Sequence, residues 1–475
     1  MKVLFVTSEA NPFIKTGGLG DVMGALPQAL LEKGVEAKVI LPKYKNIKED
    51  YLNKLKFIKN FNVKVGWRDQ YCGVFESEYK GVTYYFIDNE YYFNRDTLYG
   101  HGDDAERFAF FDRAVLEAIK EINWKPDIIH CNDWHSGMIP VLDKVQYKKD
   151  EFYKNIKTVF SIHNLLFTGT FKTEILPDLF GYDYTLAANG DLELYGGVSF
   201  MKGALNFSDR ISTVSKSYAN EIQTAEFGEK LDGLLRCKQN ILSGIVNGID
   251  YDEFNPASDK LIAENFDSKS IKDKSKNKIA LQKELGLPEN KDIPMIGLVS
   301  RLTNQKGCNL IIEIIDKLLY HDVQLVIVGT GDYQYEEQFK NLQNKYRGKL
   351  SSNIKFDNKL AHKVYAASDM FLMPSLFEPC GLGQLIALRY GAIPVVRETG
   401  GLKDTIIPYN KFDKTGNGFG FRNYNSYELL IALESALEIY KNKEEWNNLV
   451  KNAMNCDNSW SKSAGEYLNL YNELI

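Results

Sequence analysis

The alternation of short apolar runs with longer helical segments constrains the fold of this chain more than any other feature of its sequence. The runs are rich in β-branched residues and are typical of buried strands, whereas the segments between them repeat apolar residues at helical spacing. Runs of this kind occur in the first half of the chain at 2–8, 37–42, 127–133, 158–164 and 210–215. Such alternation predicts a parallel sheet with helices on both faces.

The same alternation restarts in the second half of the chain, with runs at 294–301, 324–332, 370–375 and 392–398. Between the two series lies a lysine-rich stretch, residues 258–278, which we expect to be charged surface material. A chain of 475 residues is also too long for one hydrophobic core. The sequence therefore predicts an α/β protein of two doubly wound domains, with a boundary near 245–250.

Composition excludes several function classes. A net charge of −5 argues against a broad nucleic-acid surface. The six cysteines are scattered without a CxxC pair, which favours a reduced cytosolic protein. The N-terminus turns polar too early for a signal peptide, and no apolar stretch approaches the length of a membrane span. We expect a cytoplasmic protein with neither nucleic acid nor membrane as a partner.

The first unusual loop is FIKTGGLGDV, residues 13–22, which follows the first predicted strand. A glycine-rich turn into a helix exposes backbone N–H groups and the positive end of the helix dipole, which suits an anion. The loop is not a Walker A motif because Lys15 precedes the glycines, and Met23 breaks the dinucleotide fingerprint. The glycines alone leave a simple turn equally open, but Lys15 and Asp21 beside them favour a ligand.

Two further loops follow predicted strands of the second series, where parallel sheets bind their ligands. In SRLTNQKG, Arg301 and Lys306 can converge on a diphosphate and stabilise its charge as it leaves a sugar, without a metal. In SLFEPCGLGQ, Glu378 stands beside a glycine-rich helix start and can accept hydrogen bonds from sugar hydroxyls. Cys380 has no partnered base and is interpreted as a small buried residue. RETGGLKDT, residues 397–405, adds a second candidate phosphate cradle.

Histidines mark two more strand ends. HCNDWH brings His130, Asp133 and His135 together at one predicted strand end, and SIHN places His163 at the next. A metal site is conceivable, but the six histidines of the chain show no metal-hydrolase spacing. Hydrogen-bonding roles are therefore favoured over metal ligation.

Together these motifs resemble those of bacterial glycogen synthases and plant starch synthases. The resemblance runs in order over nearly the whole chain, through KTGGLGDV, DDAERFAFF, HCNDWH, SIHNL, TVSKSYANEIQT, GIVNGID, SRLTNQKG, SLFEPCGLGQ and RETGGLKDT. It implies a GT-B glycosyltransferase with two Rossmann-like domains and a cleft between them. The domains would span 1–247, on the acceptor side, and 248–457, which binds the nucleotide sugar. The segment 458–475 would form a helix that crosses back onto the N-terminal domain.

The resemblance also implies an activity and its partners. Glucose would pass from ADP-glucose to the non-reducing end of an α-1,4-glucan, either glycogen or a malto-oligosaccharide, with retention of configuration and without a metal or other cofactor. Catalytic roles would fall to Asp133, His163, Arg301, Lys306 and Glu378. Substrate contacts would fall to Lys15, Thr16, Gly17, Gly18, Asp21, Asn247, Phe356, Cys380, Gly381, Leu382, Thr399, Gly400 and Gly401.

The family resemblance assigns these residues to parts of the donor. The phosphates would meet Lys15 and the Gly17–Gly18 turn in one domain, and Arg301, Lys306 and the turn 399–401 in the other. The glucose would be oriented by Glu378, His163 and Asn247, with help from backbone amides at 380–382. Phe356 would stack on the base, while Asp21 and Asp133 would border the junction of donor and acceptor.

Three positions depart from the patterns of related transferases. Thr168 replaces the glutamine that usually follows SIHNL, and Phe356 lacks the hydroxyl of the usual aromatic residue. Ile386 stands where many relatives carry a second glutamate, which resembles the glycogen and starch synthase group and disfavours the sucrose- and mannose-transferring relatives. None of the motifs supplies a convincing carboxylate nucleophile. Same-face attack by the acceptor hydroxyl is therefore favoured, with the departing phosphate taking the proton.

Alternatives remain open at this point. The donor could be UDP-glucose, or the chain could be another glucosyltransferase of the same fold. A catalytically silent glucan-binding protein would keep the aromatic segment NEYYFNRDTLYG, residues 89–100, and lose the cationic site. A nicotinamide-dependent oxidoreductase is disfavoured by the broken fingerprint and by the absence of an acidic residue after the second strand.

Overall fold

The structure, a computed structural model, describes all residues from 1 to 475 and divides into two compact units. Unit 1 comprises Met1–Gly248 together with Trp460–Ile475, and unit 2 comprises Ile249–Ser459. The boundaries predicted from the sequence fall after residues 247 and 457. None of the helices combines the length and the apolar composition that a membrane-spanning segment needs.

Unit 1 is built on a nine-stranded sheet with the order β12-β11-β7-β6-β1-β2-β5-β4-β3. Its strands are β1 (Lys2–Val6), β2 (Glu36–Pro42), β3 (Lys56–Val65), β4 (Arg68–Tyr79), β5 (Val82–Asp88), β6 (Ile128–Asn132), β7 (Lys157–Ile162), β11 (Arg210–Thr213) and β12 (Leu242–Gly244). A small antiparallel sheet holds β8 (Thr170–Phe171), β9 (Glu193–Leu194) and β10 (Gly197–Ser199). All five predicted strands of the first series lie in the large sheet.

The edge of this sheet differs from the parallel arrangement that the alternation predicts. β3 pairs antiparallel with β4, and β4 pairs antiparallel with β5. The connections are too short for a crossover helix, so consecutive strands must reverse direction. Gly66, Lys80 and Gly81 take the positive φ angles that such tight hairpins use.

The helices of unit 1 cover the sheet, and the last of them comes from the end of the chain. They are α1 (Gly18–Leu31), α2 (Glu49–Leu52), α3 (Glu90–Phe93), α4 (Asp104–Glu121), α5 (Met138–Val145), α6 (Thr185–Ala188), α7 (Phe200–Phe207), α8 (Lys216–Glu221), α9 (Asp232–Cys237) and α18 (Trp460–Asn472). α18 packs against α1, and the hydroxyl of its buried Tyr471 lies 2.6 Å from Nδ1 of His130 in β6. The C-terminal helix is thus an integral part of unit 1.

Unit 2 contains a six-stranded sheet that is parallel throughout, with the order β15-β14-β13-β16-β17-β18. Its strands are β13 (Met295–Val299), β14 (Gln324–Val328), β15 (Leu350–Asn353), β16 (Met370–Met373), β17 (Ile393–Arg397) and β18 (Phe419–Phe421). Its helices are α10 (Lys274–Leu285), α11 (Cys308–Leu318), α12 (Tyr333–Lys345), α13 (Asn358–Ala367), α14 (Gly383–Arg389), α15 (Gly400–Thr405), α16 (Ser426–Lys441) and α17 (Lys443–Met454). Two strand series run outward from β13 and β16, as in doubly wound folds.

The prediction that residues 258–278 form charged surface material is wrong for two of the lysines. Lys274 and Lys278 are buried. Lys278 Nζ lies 2.6 Å from Asp369 Oδ2. Lys274 Nζ donates to main-chain carbonyls at the end of α13 and after α14, those of Tyr365, Ala366 and Tyr390, at 2.8–3.2 Å. Helix ends leave carbonyls without intrahelical donors, so a buried ammonium is satisfied there.

Candidate functional site

Most of the sequence-predicted residues lie in loops near the point where each sheet changes its winding direction, whereas Asn247 and Phe356 follow edge strands. In unit 1 this point lies between β1 and β6, and in unit 2 it lies between β13 and β16. Loops after such strands form the ligand-binding crevice of doubly wound sheets. We call the loops after β1, β6 and β7 the unit 1 cluster, and the loops after β13, β16 and β17 the unit 2 cluster.

The glycine loop of the unit 1 cluster is held by a carboxylate that the sequence analysis missed. Glu9 is 4% exposed. Its Oε2 accepts hydrogen bonds from the backbone N–H groups of Thr16 at 2.5 Å and Gly17 at 3.1 Å. Its Oε1 accepts from the hydroxyls of Thr16 and Tyr99, both at 2.7 Å. The sequence feature that could have indicated this role is the position of Glu9, an acidic residue between the first strand and the glycines.

The start of α1 keeps donors for an anion. Gly17 caps this 14-residue helix without any side-chain hydrogen bond, and the first N–H groups of a helix have no intrahelical acceptor. Because Glu9 occupies the N–H groups of Thr16 and Gly17, the next backbone donor is Gly18. Lys15 Nζ lies 2.6 Å from Asp21 Oδ1. Burial raises the pKa of Asp21, and the neighbouring lysine opposes that shift.

Asp133 and His163 share the strand ends beside this loop. Asp133 follows β6 with a φ of 56°, and its Oδ1 accepts the backbone N–H of His163 at 2.8 Å. Burial raises the pKa of Asp133 to about 7, although N–H donors from His163 and Asn164 oppose the shift. The His163 Nε2 lies 2.9 Å from Asn132 Oδ1. Burial lowers the pKa of His163 to about 4, so its imidazole is neutral at pH 7.

The two other predicted histidines of HCNDWH do not join Asp133. His130 lies inside β6, fully buried, where Nε2 contacts the Ser161 hydroxyl at 2.6 Å. His135 is buried against the rings of Tyr99 and Trp134. Burial lowers the pKa of both histidines. His135 Nδ1 lies 3.3 Å from the Ser8 hydroxyl. The expectation that the three residues meet at a strand end is therefore wrong, and the hydrogen-bonding role holds for both histidines.

Asn247, predicted to contact the sugar, has an unusual environment in unit 1. It is 6% exposed, and its side-chain Oδ1 has no hydrogen-bond partner. A buried carbonyl oxygen without a donor costs free energy. This oxygen is therefore a suitable acceptor for a ligand hydroxyl.

The unit 2 cluster pairs the two residues to which the sequence analysis assigned separate roles. Lys306 Nζ lies 2.6 Å from Glu378 Oε2, and the Ser375 hydroxyl donates to the same oxygen at 3.0 Å. Glu378 is buried, whereas Arg301 is exposed, with its guanidinium 3.4 Å from the side-chain oxygen of Gln305. The cluster thus offers one cation fixed by a carboxylate and a second cation that faces solvent.

The TGG turn after β17, residues 399–401, packs its backbone against the loop that carries Glu378. Gly401 N donates to the Glu378 carbonyl at 3.1 Å. A Cβ atom at Gly400 would lie 1.9 Å from the same carbonyl oxygen, and one at Gly401 would lie 2.0 Å from that of Cys380. Gly400 also has a positive φ of 46°. Two glycines are therefore required after the buried Thr399 for the loops to approach this closely.

Two positioning residues of this cluster were not predicted. The Arg397 guanidinium donates to the carbonyl of Leu376. Gln384 Nε2 donates to the carbonyls of Cys380 at 2.9 Å and Gly381 at 3.0 Å. The sequence indicates neither role clearly, because a polar residue at a strand end or a helix start often contacts only solvent.

Three other residues predicted to contact the substrate lie in unit 2 and differ in exposure. Cys380 is buried, as expected, and Leu382 caps α14. Phe356, in the loop between β15 and α13, is 90% exposed. No group of three or more His, Cys, Asp or Glu side chains in the chain is placed to hold a metal ion.

Comparison with known proteins matches both units. Residues 2–237 match the starch synthase catalytic domain family, and residues 278–455 match glycosyl transferases group 1. Glycogen synthases from Clostridium perfringens and Clostridioides difficile are 68% and 53% identical to the chain over its full length, which covers 98% and 100% of those proteins. The chain belongs to the glycogen synthase and starch synthase family.

Solved structures with the same fold include one member of this family. The catalytic domain of Starch Synthase IV from Arabidopsis thaliana, bound to ADP and acarbose, superposes with a TM-score of 0.92 at 34% identity over 99% of both chains. A sucrose-phosphate synthase from Thermosynechococcus elongatus, 16% identical with a TM-score of 0.64, shares the fold alone. The predicted glycosyltransferase of GT-B fold, with two Rossmann-like domains, is confirmed.

Proposed function

We propose that this protein is a cytoplasmic glycogen synthase that transfers glucose from ADP-glucose to the non-reducing end of an α-1,4-glucan, with retention of configuration. The Lys306–Glu378 pair at the winding reversal of unit 2, 2.6 Å apart, is the observation that carries the proposal. Family membership supports it. The relatives are named glycogen synthases, and the starch synthase structure holds ADP and acarbose.

In the proposed reaction the unit 2 cluster binds the leaving group and the sugar. Arg301 and Lys306 bind the diphosphate, and they stabilise the charge that builds on it as the bond to the anomeric carbon breaks. Glu378 accepts hydrogen bonds from glucose hydroxyls, with the backbone amides of 380–382 beside it. Because Glu378 already fixes the ammonium of Lys306, little reorganisation is needed at the moment of reaction.

The turn 399–401 positions the loop that carries Glu378, since the Gly401 N–H donates to the Glu378 carbonyl, and the exposed ring of Phe356 stacks on the base. These roles complete the donor-binding part of the proposal in unit 2.

Unit 1 contributes phosphate and sugar contacts. Lys15 and the Gly18 N–H carry the direct phosphate contacts, since Thr16 and Gly17 are held by Glu9. The neutral His163 and the unpartnered Oδ1 of Asn247 contact the glucose, and the backbone carbonyl of His163 supports an oxocarbenium-like transition state.

Asp21 and Asp133 border the junction of donor and acceptor in this proposal. The acceptor hydroxyl attacks from the face that the diphosphate leaves. Its oxygen forms the new bond to the anomeric carbon, and its proton passes to the departing phosphate oxygen. The cations of Arg301 and Lys306 make a metal unnecessary.

The donor and the reaction are tested by incorporation of label. Purified protein is incubated with glycogen and radiolabelled ADP-glucose or UDP-glucose in parallel, with EDTA present. We expect label to enter the polymer from ADP-glucose, with little from UDP-glucose. A preference for UDP-glucose would overturn the donor assignment, and no incorporation from either would favour the silent glucan-binding alternative.

The role of Lys306 is tested by replacing it with alanine. We expect kcat to fall about 100- to 1,000-fold, the loss typical of removing one donor that stabilises transition-state charge. Lys355→Ala is the matched control, because Lys355 is a lysine of the same unit that pairs with Asp357 at 2.8 Å on the surface. Near-normal turnover of a folded Lys306→Ala protein would contradict the role.

A further inference from the structure

A tyrosine outside the sequence motifs contacts the turn that carries Lys306. Tyr424 lies between β18 and α16, where its hydroxyl donates to Asn309 Oδ1 at 2.6 Å and lies 3.1 Å from the main-chain oxygen of Asn304. Asn304 begins the short helical turn that ends at Lys306, and Asn309 lies in the first turn of α11. One hydroxyl therefore contacts the chain on both sides of Lys306.

The ring of the same tyrosine contacts a side chain that holds the other loop of the ion pair. The guanidinium carbon of Arg397 lies 5.7 Å from the centroid of the Tyr424 ring. An aromatic face attracts a cation, so the ring favours one orientation of this guanidinium. Arg397 donates to the carbonyl of Leu376, in the loop that carries Glu378. Tyr424 thus supports both loops that form the ion pair of the unit 2 cluster.

The chain around Tyr424 is fixed by its own hydrogen bonds. The carboxylate of Glu428, in the first turn of α16, accepts the backbone N–H groups of Arg422 at 3.1 Å and Asn423 at 2.8 Å. Asn425 caps the same helix, and its side chain accepts the N–H of Glu428 at 2.8 Å. The ring of Tyr424 also packs against the hydrophobic core of unit 2. The tyrosine is therefore a fixed support for the loops that it contacts.

The two loops also keep direct contacts that do not involve Tyr424. The N–H of Leu376 donates to the carbonyl of Gln305 at 2.8 Å. A Cβ atom at Gly307 would lie 2.2 Å from the carbonyl oxygen of Pro374, so the backbones approach closely there. A protein altered at Tyr424 should therefore fold, with a partial effect on the ion pair.

We propose that Tyr424 is a positioning residue for glucose transfer and that it acts through Lys306. Lysine carries its charge on a flexible four-carbon stem, so the place of the ammonium depends on the backbone turn and on the partner carboxylate. Because the Tyr424 hydroxyl already meets two oxygens of the protein, it acts on the turn and not on the donor. A misplacement of about 1 Å can cost about 100-fold in rate, and a smaller shift of this turn costs less.

This inference rests on the proposed function, which assigns to Lys306 the stabilisation of the leaving diphosphate. It adds to that function a residue that touches neither the diphosphate nor the sugar. The rate of transfer should therefore depend on a side chain that lies outside the unit 2 cluster.

The kinetics of Tyr424→Phe test the role of the hydroxyl. This variant keeps the ring beside Arg397 and loses the contacts with Asn304 and Asn309. We expect kcat for transfer from ADP-glucose to glycogen to fall about three- to tenfold, the range for loss of one hydrogen bond. KM for ADP-glucose should change less than about twofold, because the charge that Lys306 stabilises builds up in the transition state.

Tyr409→Phe is the matched control. Tyr409 is also a partly buried tyrosine of unit 2, and its hydroxyl donates to Glu445 Oε1 on α17 at 2.9 Å. This variant loses one tyrosine hydroxyl bond of the same unit without touching either loop of the ion pair. We expect its kcat and KM to equal those of the wild type.

A double variant separates positioning from a general loss of structure. In the Lys306→Ala background, Tyr424→Phe should lower kcat by less than about twofold, because the group through which it acts is absent. A merely structural role would lower kcat by the same factor in both backgrounds. The proposal is overturned by that result, and equally by an unchanged kcat of the Tyr424→Phe protein.

Hydrogen exchange makes the test independent of the reaction. The N–H of Gly307 donates to the carbonyl of Asn304 at 2.9 Å and closes the turn that carries Lys306. We expect this N–H to exchange faster in Tyr424→Phe than in the wild type and the control, and equal rates would contradict the proposal. A protein that transfers glucose from neither donor would refute the proposed function alone. The exchange rates would still decide whether Tyr424 positions Lys306.

Discussion

The two loop clusters are held together in different ways. In the unit 1 cluster a side chain holds the backbone, since the Glu9 carboxylate collects N–H and O–H donors from Thr16, Gly17 and Tyr99. In the unit 2 cluster backbone meets backbone, since Gly400 and Gly401 bring their turn against the loop that carries Glu378. A loop held by a side chain should tolerate small additions at its glycines, whereas a loop held by close backbone approach should not.

The clusters also differ in how their buried carboxylates are stabilised. Glu9 is surrounded by neutral donors, whereas Glu378 faces the ammonium of Lys306. Charge-assisted pairs are stronger than bonds to neutral donors, but they depend on one partner. The unit 2 cluster should therefore be the less tolerant of substitution.

The sharpest test of this comparison is a pair of glycine substitutions. Gly401→Ala should destabilise the protein by about 3 kcal/mol or more, because its Cβ atom would stand 2.0 Å from the Cys380 carbonyl oxygen. Gly17→Ala should change stability by less than about 0.5 kcal/mol, because Gly17 has extended backbone and no atom within 4 Å of the new Cβ. Urea denaturation measures both, and equal losses would contradict the comparison.

Glu9 provides the next test, with a smaller expected effect. Glu9→Ala removes the acceptor for three groups of the loop and for Tyr99, and should cost about 2 kcal/mol. Glu9→Gln keeps one acceptor oxygen and should cost about half as much. Hydrogen exchange gives a local readout, since the N–H groups of Thr16 and Gly17 should lose protection in Glu9→Ala. Unchanged exchange there would show that the loop does not need the carboxylate.

The sequence predicts well the strands and strand-end loops on which these clusters are built. Buried parallel strands carry continuous β-branched runs, and the glycine motifs fall where those strands end, so the two-domain fold and its family are confirmed. The hairpin of β3 and β4 was not predicted. In sequence it lies between β2 and β5, and these two strands pair in parallel as the alternation predicts. The direction of the hairpin is set by short turns such as that at Gly66.

The partners inside the clusters could not be predicted, for a physical reason. Glu9 and Arg397 act on loops through contacts that depend on the final packing, and a sequence shows only that each is charged. The same holds for Lys274, which looks like a surface lysine and is buried because three carbonyls of helix ends meet around it. Residue types predicted the chemistry of the loops, whereas packing determined which partner each residue meets.

The smallest expected effect concerns the pH dependence of the unit 1 cluster. Burial raises the pKa of Asp133 from 3.8 to about 7, so the fold favours the protonated form. The stability that this preference provides is fully present below pH 3.8 and is lost as the pH rises towards 7. Asp133→Asn cannot ionise, keeps an oxygen for the N–H of His163, and tolerates the positive φ angle.

The variant should therefore gain stability relative to the wild type between pH 4 and pH 7, and the gap should stay constant above that range. Because Asp133 keeps partial contact with solvent, we expect a gain of about 1–2 kcal/mol, measured by urea denaturation across the pH range. The loops of the unit 1 cluster would then be weakened at neutral pH by an ionisable group that N–H donors only partly compensate. A gap that stays the same from pH 4 to pH 9 would mean that Asp133 is ionised in the folded protein throughout, and that the N–H donors of His163 and Asn164 fully offset the burial of its charge.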